Sequence, residues 1–197
     1  LAFLNGHPDY YTRHGYHACF GFARTTYRVD SIPDSSVDFE AWPVCDEDIP
    51  WLVACDEREW KNVDFTWPRT EAMQEWAFEG VNAVIWRTAD GRRAACTLTR
   101  AGQSRPGSTM EAILGDDPDL VREVIKRRKP SSSPNHPGGW LAREVIDPDW
   151  ATSEAHADGA AMAIELVDGV LTEYQAACDG GLRLPGVCNW PLPFIMC

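Results

Sequence analysis

The first 23 residues constrain the fold more than any other stretch of the chain. They open with an uninterrupted apolar run at residues 1–4, which is typical of a strand covered on both faces. Pro8 suits the first turn of a helix, and Gly15 suits the left-handed residue that ends one. From Tyr16 onward the pattern has a period of two, which predicts a second strand. The sequence therefore predicts a strand, a helix of about a turn and a half, and another strand.

This stretch resembles the end of the GNAT N-acetyltransferase fold, in which an apolar strand is followed by a string such as GDPAYYRRFGF. The matching residues are Gly6, His7, Pro8, Asp9, Tyr10, Tyr11, Arg13, Gly15 and Tyr16, with His14 and Tyr16 as variants of the two aromatic positions. The resemblance implies transfer of an acetyl group from acetyl-coenzyme A to an amine on a small molecule or peptide. It also implies that Tyr11 is catalytic and that cofactor-binding positions are held by Asn5, Tyr10 and Arg13.

The role that the resemblance gives to Tyr11 is donation of a proton to the departing thiolate. A phenol in general has a pKa of ~10 and a thiol one of ~8.5, which is close enough for such a transfer. Packing beneath the cofactor is the alternative role for this ring, and we favour the acid role. His7 can assist the amine from the end of the strand, although a hydrogen bond at the helix entry is its more ordinary role.

The cofactor loop of the family is missing from the chain. That loop reads Gln/Arg-x-x-Gly-x-Gly/Ala before a long helix, and no such segment occurs among the 197 residues. The chain also opens inside the predicted strand, without an initiator Met. Both features favour the C-terminal portion of a longer acetyltransferase. A non-catalytic binding or scaffolding protein that lacks the cofactor half is the alternative.

We interpret residues 1–34 as the end of a catalytic domain and residues 35–197 as a second α+β module. The predicted order from 41 to 146 is strand, helix, helix, hairpin, strand, helix, strand, which resembles the GNAT order again. A working copy holds pyrophosphate on a glycine-rich loop at a helix start. Here that junction carries Asp116, Asp117 and Pro118, which oppose phosphate binding. A degenerate copy and an independent domain both remain open, and the fold class is α+β, a mixed β-sheet with flanking helices.

Local signals predict the elements of the second module. Helices are predicted at Ile49–Trp60, with Asp46 or Asp48 as the cap, and at residues 67–79, 118–128 and 168–178. Asp90-Gly91 predicts a hairpin turn. Residues 130–139 are predicted as a loop, residues 140–146 as a strand, and the apolar tail at residues 190–196 as buried.

Composition bounds the partners and the compartment. A net charge of −12 disfavours nonspecific binding to nucleic acid or to anionic membranes, and no apolar run approaches the ~20 residues of a membrane span. Seven scattered cysteines without a CxxC pair indicate reduced thiols and a cytoplasmic protein. The local set His7, His14, His17 and Cys19 lacks the spacing of a zinc site, so no metal is predicted. Homo-oligomerisation is left open.

Overall fold

The computed structural model describes residues 1–34, 37–102 and 105–187, which form two four-stranded antiparallel sheets and four α-helices. Sheet A contains β1 (Ala2–Asn5), β2 (His17–Tyr27), β7 (Ser132–Asn135) and β8 (Ala151–Ile164). Sheet B contains β3 (Phe39–Pro43), β4 (Val81–Thr88), β5 (Arg93–Arg100) and β6 (Ala112–Leu114). The helices are α1 (Pro8–Tyr11), α2 (Ile49–Trp60), α3 (Pro118–Arg128) and α4 (Val170–Asp179).

The α+β class is therefore confirmed. A mixed sheet was predicted, whereas every strand pairing within sheets A and B of the described chain is antiparallel.

Sheet A joins the first strand of the described chain to its last. Its strand order is β1-β8-β2-β7, so β8 lies between β1 and β2 and pairs antiparallel with both. Because β1 and β2 both run against β8, they run parallel to each other, and α1 crosses over from one to the other. The opposite ends of β2 pack into different clusters, Phe20 with Leu171 of α4 and Tyr27 with Trp150. The sheet is thus covered on different faces at its two ends.

Sheet B lies between two helices. Its strand order is β3-β4-β5-β6, and the predicted hairpin at Asp90-Gly91 joins β4 to β5, with Gly91 at φ +83°. One face packs on α2 through Leu52, which is completely buried, and the other packs on α3 through Val121 and Val124. Two apolar clusters on opposite faces explain why β5 is buried along nearly its whole length.

The segments that lead into β6 and β7 lie side by side before the two strands separate. Gly107 N donates to Lys129 O at 2.6 Å, and Met110 N donates to Ser132 O at 2.8 Å. The bonded residues advance together along both segments, so these segments run in the same direction. Beyond them β6 continues into sheet B and β7 into sheet A, so the two strands diverge. The space between their diverging ends is called the wedge.

The helix predicted for residues 67–79 is wrong, because only a single 3-10 turn, Met73–Glu75, forms there. Thr70 donates from its backbone N–H and its hydroxyl to the Glu75 carboxylate, at 2.6 and 2.8 Å. Its carbonyl accepts a hydrogen bond from the Trp76 indole at 2.8 Å. Side-chain groups thus bond the backbone that a helix would have paired with itself. Trp76 is buried, as the sequence predicts.

The loop predicted for residues 130–139 is also wrong, because β7 forms within it as a buried polar strand. The Ser133 hydroxyl lies 2.5 Å from the Tyr27 hydroxyl, and Asn135 Nδ2 donates to the Thr25 hydroxyl at 2.5 Å. Burial raises the pKa of Tyr27 to about 12, the Ser133 hydrogen bond acts to lower it, and the charge of Glu59 adds to the increase. A strand made of Ser, Pro and Asn has no apolar period, so its burial depends on these cross-strand bonds.

Residues 140–146 form a π-helical turn at Leu141–Val145 instead of the predicted strand. Both ends of that turn are buried against α3.

The α2 helix has the predicted bounds, but Asp48 does not cap it with its side chain. The predicted burial of the tail at residues 190–196 lies outside the described residues. None of the helices in the described parts of the chain is long and apolar enough to cross a bilayer.

Candidate functional site

The connection between β1 and β2 fixes the position of Tyr11. The backbone N–H groups of Tyr10 and Tyr11 donate to His7 O at 3.1 and 3.2 Å, which forms the single turn of α1. Gly15 ends the following 3-10 turn at φ +84°, as the sequence predicts. A Cβ on Gly6 would overlap the Tyr11 ring. The ring therefore packs directly on the turn that leaves β1, and only glycine permits this approach.

An aromatic cluster surrounds Tyr11. Its ring centroid lies 5.0 Å from that of Tyr10 and 6.0 Å from that of Tyr16, both in edge-on arrangements. Tyr10 also contacts His14 at 5.0 Å and is 58% exposed, whereas Tyr11 is half-buried. In the described part of the chain the Tyr11 hydroxyl makes no hydrogen bond. The hydroxyl is thus free to bond a group from outside these residues.

The remaining predicted site residues lie around the same turn. Asn5 ends β1 opposite Ala161, but its side chain lies outside the described residues. Arg13 is exposed on the 3-10 turn that follows α1. His7 is exposed, with Nδ1 3.9 Å from the Asp9 carboxylate. Across residues 1–34, 37–102 and 105–187, no three His, Cys, Asp or Glu side chains are grouped so that they could hold a metal ion.

The last residue of β8 lies beneath this turn. A Cβ on Gly15 would come within 3.2 Å of Ile164 Cδ1, which is a tight contact. Ile164 also pairs with Ala2 in β1, and its neighbour Ala163 pairs with both Phe3 and His17. The end of β8 thus supports the turn that carries Tyr11.

The junction between β6 and α3 does not resemble an open phosphate site. The Asp117 carboxylate accepts hydrogen bonds from Asp119 N at 3.0 Å and Leu120 N at 3.1 Å, which uses free donors at the helix start. Arg92 pairs with the same carboxylate at 3.3 Å. Asp116 accepts from the Trp51 indole at 2.9 Å. A chain carboxylate thus occupies the position at which a phosphate would bind.

Side chains also bridge the wedge between the ends of β6 and β7. Arg58 of α2 donates to Gly115 O just after β6, at 3.4 Å, and its guanidinium lies 6.0 Å from the Trp140 ring centroid. The next residue of α2, Glu59, accepts from Leu141 N at 2.7 Å. A Cβ on Gly139 would overlap the same carboxylate. The wedge is closed by contacts of the chain itself.

Glu59 is 5% exposed, and its burial predicts an unusual pH dependence of stability. Burial raises its pKa from 4.5 to about 8, although the Leu141 N–H acts to lower it and the charge of Asp56 raises it further. Between these two values the folded chain holds a proton that the unfolded chain releases, so stability falls as the pH rises from about 4.5 to about 8 and then levels off. The expected loss is on the order of a few kcal/mol.

Urea unfolding at a series of pH values measures this dependence, and Glu59→Gln is expected to flatten it because the titrating group is gone. The absolute stability of the variant does not enter the comparison. A Glu59→Gln chain with the pH profile of the native chain would contradict the assignment of the titration to Glu59.

The described cysteines are all free and differ sharply in environment. The five are Cys19, Cys45, Cys55, Cys96 and Cys178. Burial raises the pKa of the Cys55 and Cys96 thiols to about 12 in both cases. Cys45 is exposed. We expect a thiol-reactive disulfide reagent to label Cys45 in the native chain, because this side chain is exposed. Cys55 and Cys96 should be labelled only after unfolding, because both are buried and their raised pKa leaves little of the reactive thiolate.

Counting thiols in denaturant without reductant extends this test to the whole chain. Seven free thiols, or nearly seven, are expected. Two or more stable disulfides would contradict the prediction of a reducing compartment.

Several polar residues that organise the interior are not predicted from the sequence. Glu59 lies four residues after Cys55 on the buried stripe of α2, and a charged residue on such a stripe is a signal that could have identified it. His136 has no comparable signal, because its partner Pro185 lies 49 residues away. The partner of Tyr174 is the backbone N–H of Gly186, and a backbone group leaves no pattern in the sequence.

Comparison with known proteins adds no assignment: no protein family model matches the chain, and no curated protein matches it.

Proposed function

We propose that the chain is part of a GNAT-type N-acetyltransferase that transfers acetyl from acetyl-coenzyme A to an amine. The observation that supports this most is the β1–α1–β2 connection. Its sequence resembles the end of that fold, and it presents a half-buried tyrosine whose hydroxyl has no partner in the described chain. Residues 1–34 would complete the catalytic domain, and residues 35–197 would be the second module.

The proposed chemistry gives Tyr11 one step. The amine nitrogen attacks the thioester carbonyl, and the carbon–sulfur bond then breaks to release the thiolate of coenzyme A. The amine nitrogen loses one proton to water as the amide forms, and the Tyr11 hydroxyl donates its proton to the sulfur and is reprotonated from water. Tyr10, Asn5 and Arg13 would contact the cofactor around the same turn. The cofactor loop is not among the 197 residues, so the activity would require a donor-binding segment outside them.

The second module is proposed to bind no coenzyme A. The Asp117 carboxylate occupies the N–H donors at the start of α3, and Pro118 supplies none. Arg58 and Glu59 close the wedge between β6 and β7. A phosphate entering this site would meet a carboxylate already in place. The module would therefore contribute structure, above all β8, and no second reaction.

Calorimetry on the 197-residue chain tests the proposal for the second module. No binding of coenzyme A is expected, and the chain alone should not release free coenzyme A from acetyl-coenzyme A in the presence of amines. The chain should be kept whole, because β8 and β7 pair with β2 and a cut before β3 would leave them without that partner. Micromolar affinity that persists in an Arg13→Ala chain would contradict the proposal for the second module, and activity of the chain alone would contradict the family assignment.

Joining the chain to a donor-binding segment tests the catalytic proposal. Thiol release from acetyl-coenzyme A should then depend on an added amine. Polyamines, aminoglycosides and lysine peptides are suitable candidates, since an acidic protein attracts cationic amines. If none is acetylated although the donor binds, the non-catalytic binding or scaffolding role is the better description.

A reducing, cytoplasmic location follows from the proposal for the thiols, and homo-oligomerisation is left open.

A further inference from the structure

A segment near the end of the described chain packs on a surface formed by Gly21, Asp64, His136 and Tyr174 of the same molecule, and this surface is called the groove. This segment, residues 183–187, is called the strap here. It follows α4 and reaches β2, where Gly21 N donates to Gly186 O at 2.9 Å. β7 ends at Asn135, which pairs with Ala23, so the strap occupies the edge of β2 just beyond the end of β7. It extends the sheet as a bound peptide would.

Four structural elements contact the backbone of the strap. Besides Gly21, the Tyr174 hydroxyl of α4 accepts from Gly186 N at 2.6 Å. Asp64 O, from the loop after α2, accepts from Val187 N at 3.2 Å. His136, from the loop after β7, bonds Pro185 O through Nε2 at 2.7 Å. Every backbone polar group from the Pro185 carbonyl to the Val187 N–H therefore has a partner, and Pro185 itself has no N–H to satisfy.

The state of His136 suits this contact. A carbonyl oxygen can only accept, so Nε2 carries the hydrogen, and Nδ1 in turn accepts from Gly138 N at 3.0 Å. Both ring nitrogens are used by a neutral imidazole, and burial lowers the pKa of His136, although the Pro185 carbonyl and the charge of Asp64 oppose that change. The imidazole is thus held as a donor aimed at the strap.

The side chains of the strap matter at three positions. A Cβ on Gly186 would overlap Asp64 O, so only glycine fits at this position. The Pro185 ring packs on Gly21: a Cβ added to Gly21 would lie 3.4 Å from Pro185 Cβ. Arg183 pairs with the Asp64 carboxylate at 3.3 Å and lies over the Tyr174 ring at 6.0 Å. Leu184, between them, is 51% exposed and contributes its carbonyl to the Tyr174 hydroxyl at 3.5 Å.

We propose that this groove is a binding site for an extended peptide of the type Arg-x-Pro-Gly, and that the strap occupies it in cis as an internal ligand. Recognition of the main chain at a sheet edge is a recurring mode of peptide binding. The acidic chain and the Asp64 carboxylate favour a basic ligand. The tethered strap has an effective concentration of about millimolar, so it excludes a free peptide until it is displaced. The proposal is independent of the acetyltransferase assignment.

The test uses the full 197-residue chain with the variant Gly186→Ala, whose added Cβ should expel the strap. Exchange of the Gly21 amide hydrogen reports directly on this change, because its acceptor is Gly186 O. The probe is a fluorescent peptide with the sequence of residues 182–187. The control peptide has the same sequence with alanine in place of the glycine. Leu184→Ala is the control variant, because that side chain is exposed.

The Gly186→Ala chain should lose protection at Gly21 and bind the glycine peptide at least ~10-fold more tightly than the native or Leu184→Ala chain does. The alanine peptide should not bind. If the Gly186→Ala chain does not fold, the double variant Arg183→Ala/Pro185→Ala replaces it, since it removes the strap's own side-chain contacts with Asp64 and Gly21 and leaves the groove residues unchanged. Unfolding of both variants, retained protection at Gly21 in both, or an open groove that does not bind the glycine peptide would overturn the proposal.

Discussion

Replacement of Tyr11 with phenylalanine is expected to lower the turnover of acetyl transfer by ~10²–10⁴, the usual loss for a missing general acid. The affinity for acetyl-coenzyme A should change little, because the ring remains packed on Gly6 and beside Tyr10. The protein for this measurement is the chain joined to a donor-binding segment. Steady-state release of the coenzyme A thiol gives the turnover number, and calorimetry gives the donor affinity.

Tyr16→Phe is the matched control, because it removes a hydroxyl from the neighbouring ring of the same cluster. Its turnover should stay within about twofold of the native value, since no proton transfer is assigned to it. Equal turnover in the native and Tyr11→Phe proteins would show that water or another residue supplies the proton. Equal loss in both variants would show that the effect is not specific to the Tyr11 hydroxyl and would contradict its assignment as the acid.

Replacement of Asp48 with asparagine is expected to destabilise the chain by about 3 kcal/mol, at the lower end of the range for a broken buried ion pair. Asp48 is 1% exposed, and its Oδ1 accepts from Arg93 Nε at 2.7 Å and pairs with Arg87 Nη2 at 2.5 Å. Its other oxygen accepts from Cys45 N at 3.3 Å. The carboxylate thus ties both strands of the central hairpin to the start of α2. Urea unfolding followed by tryptophan fluorescence measures the loss.

Asp119→Asn is the control for this experiment, because Asp119 pairs with Arg122 on the surface and is 78% exposed. Its effect should be below about 0.5 kcal/mol. Burial acts to raise the pKa of Asp48, but the hydrogen bonds from Arg93 and Cys45 and the charge of Arg87 outweigh it and lower the pKa. The stabilisation is therefore complete above the ordinary carboxyl pKa and is lost as the pH falls below it. Equal effects of the two substitutions at neutral pH would contradict this account.

The elements that the sequence predicts well have a local cause. The bounds of α2 and α3 match the predicted helices, and Gly91 lies in the predicted hairpin turn. Each depends on residues within a few positions of one another, so a pattern in one stretch suffices. The turn around Tyr11 belongs to the same class, because Gly6 and Gly15 act on their immediate surroundings.

The elements that the sequence predicts badly depend on distant partners. β7 has a polar sequence and is stable as a strand because Tyr27 and Thr25 bond its side chains from more than a hundred residues away. The local sequence predicts Asp48 as a helix cap, but in the fold its carboxylate pairs with Arg87 and Arg93 of the hairpin. The strap has no secondary structure of its own, and its groove is built from four separate elements. Tertiary contacts of this kind leave no period in the sequence.

The position of β8 between β1 and β2 also determines when the chain can complete its fold during synthesis. Ala2 pairs with Ile164, so β1 and β2 leave the ribosome long before the strand that joins them. At about 5–20 residues per second the delay is many seconds, which greatly exceeds the time in which a hairpin forms. Sheet B has all of its strands from a shorter and earlier stretch, and can assemble while sheet A waits. During that interval the edges of β1 and β2 that later pair with β8 stay unpaired, which is the state in which strand edges are prone to aggregation.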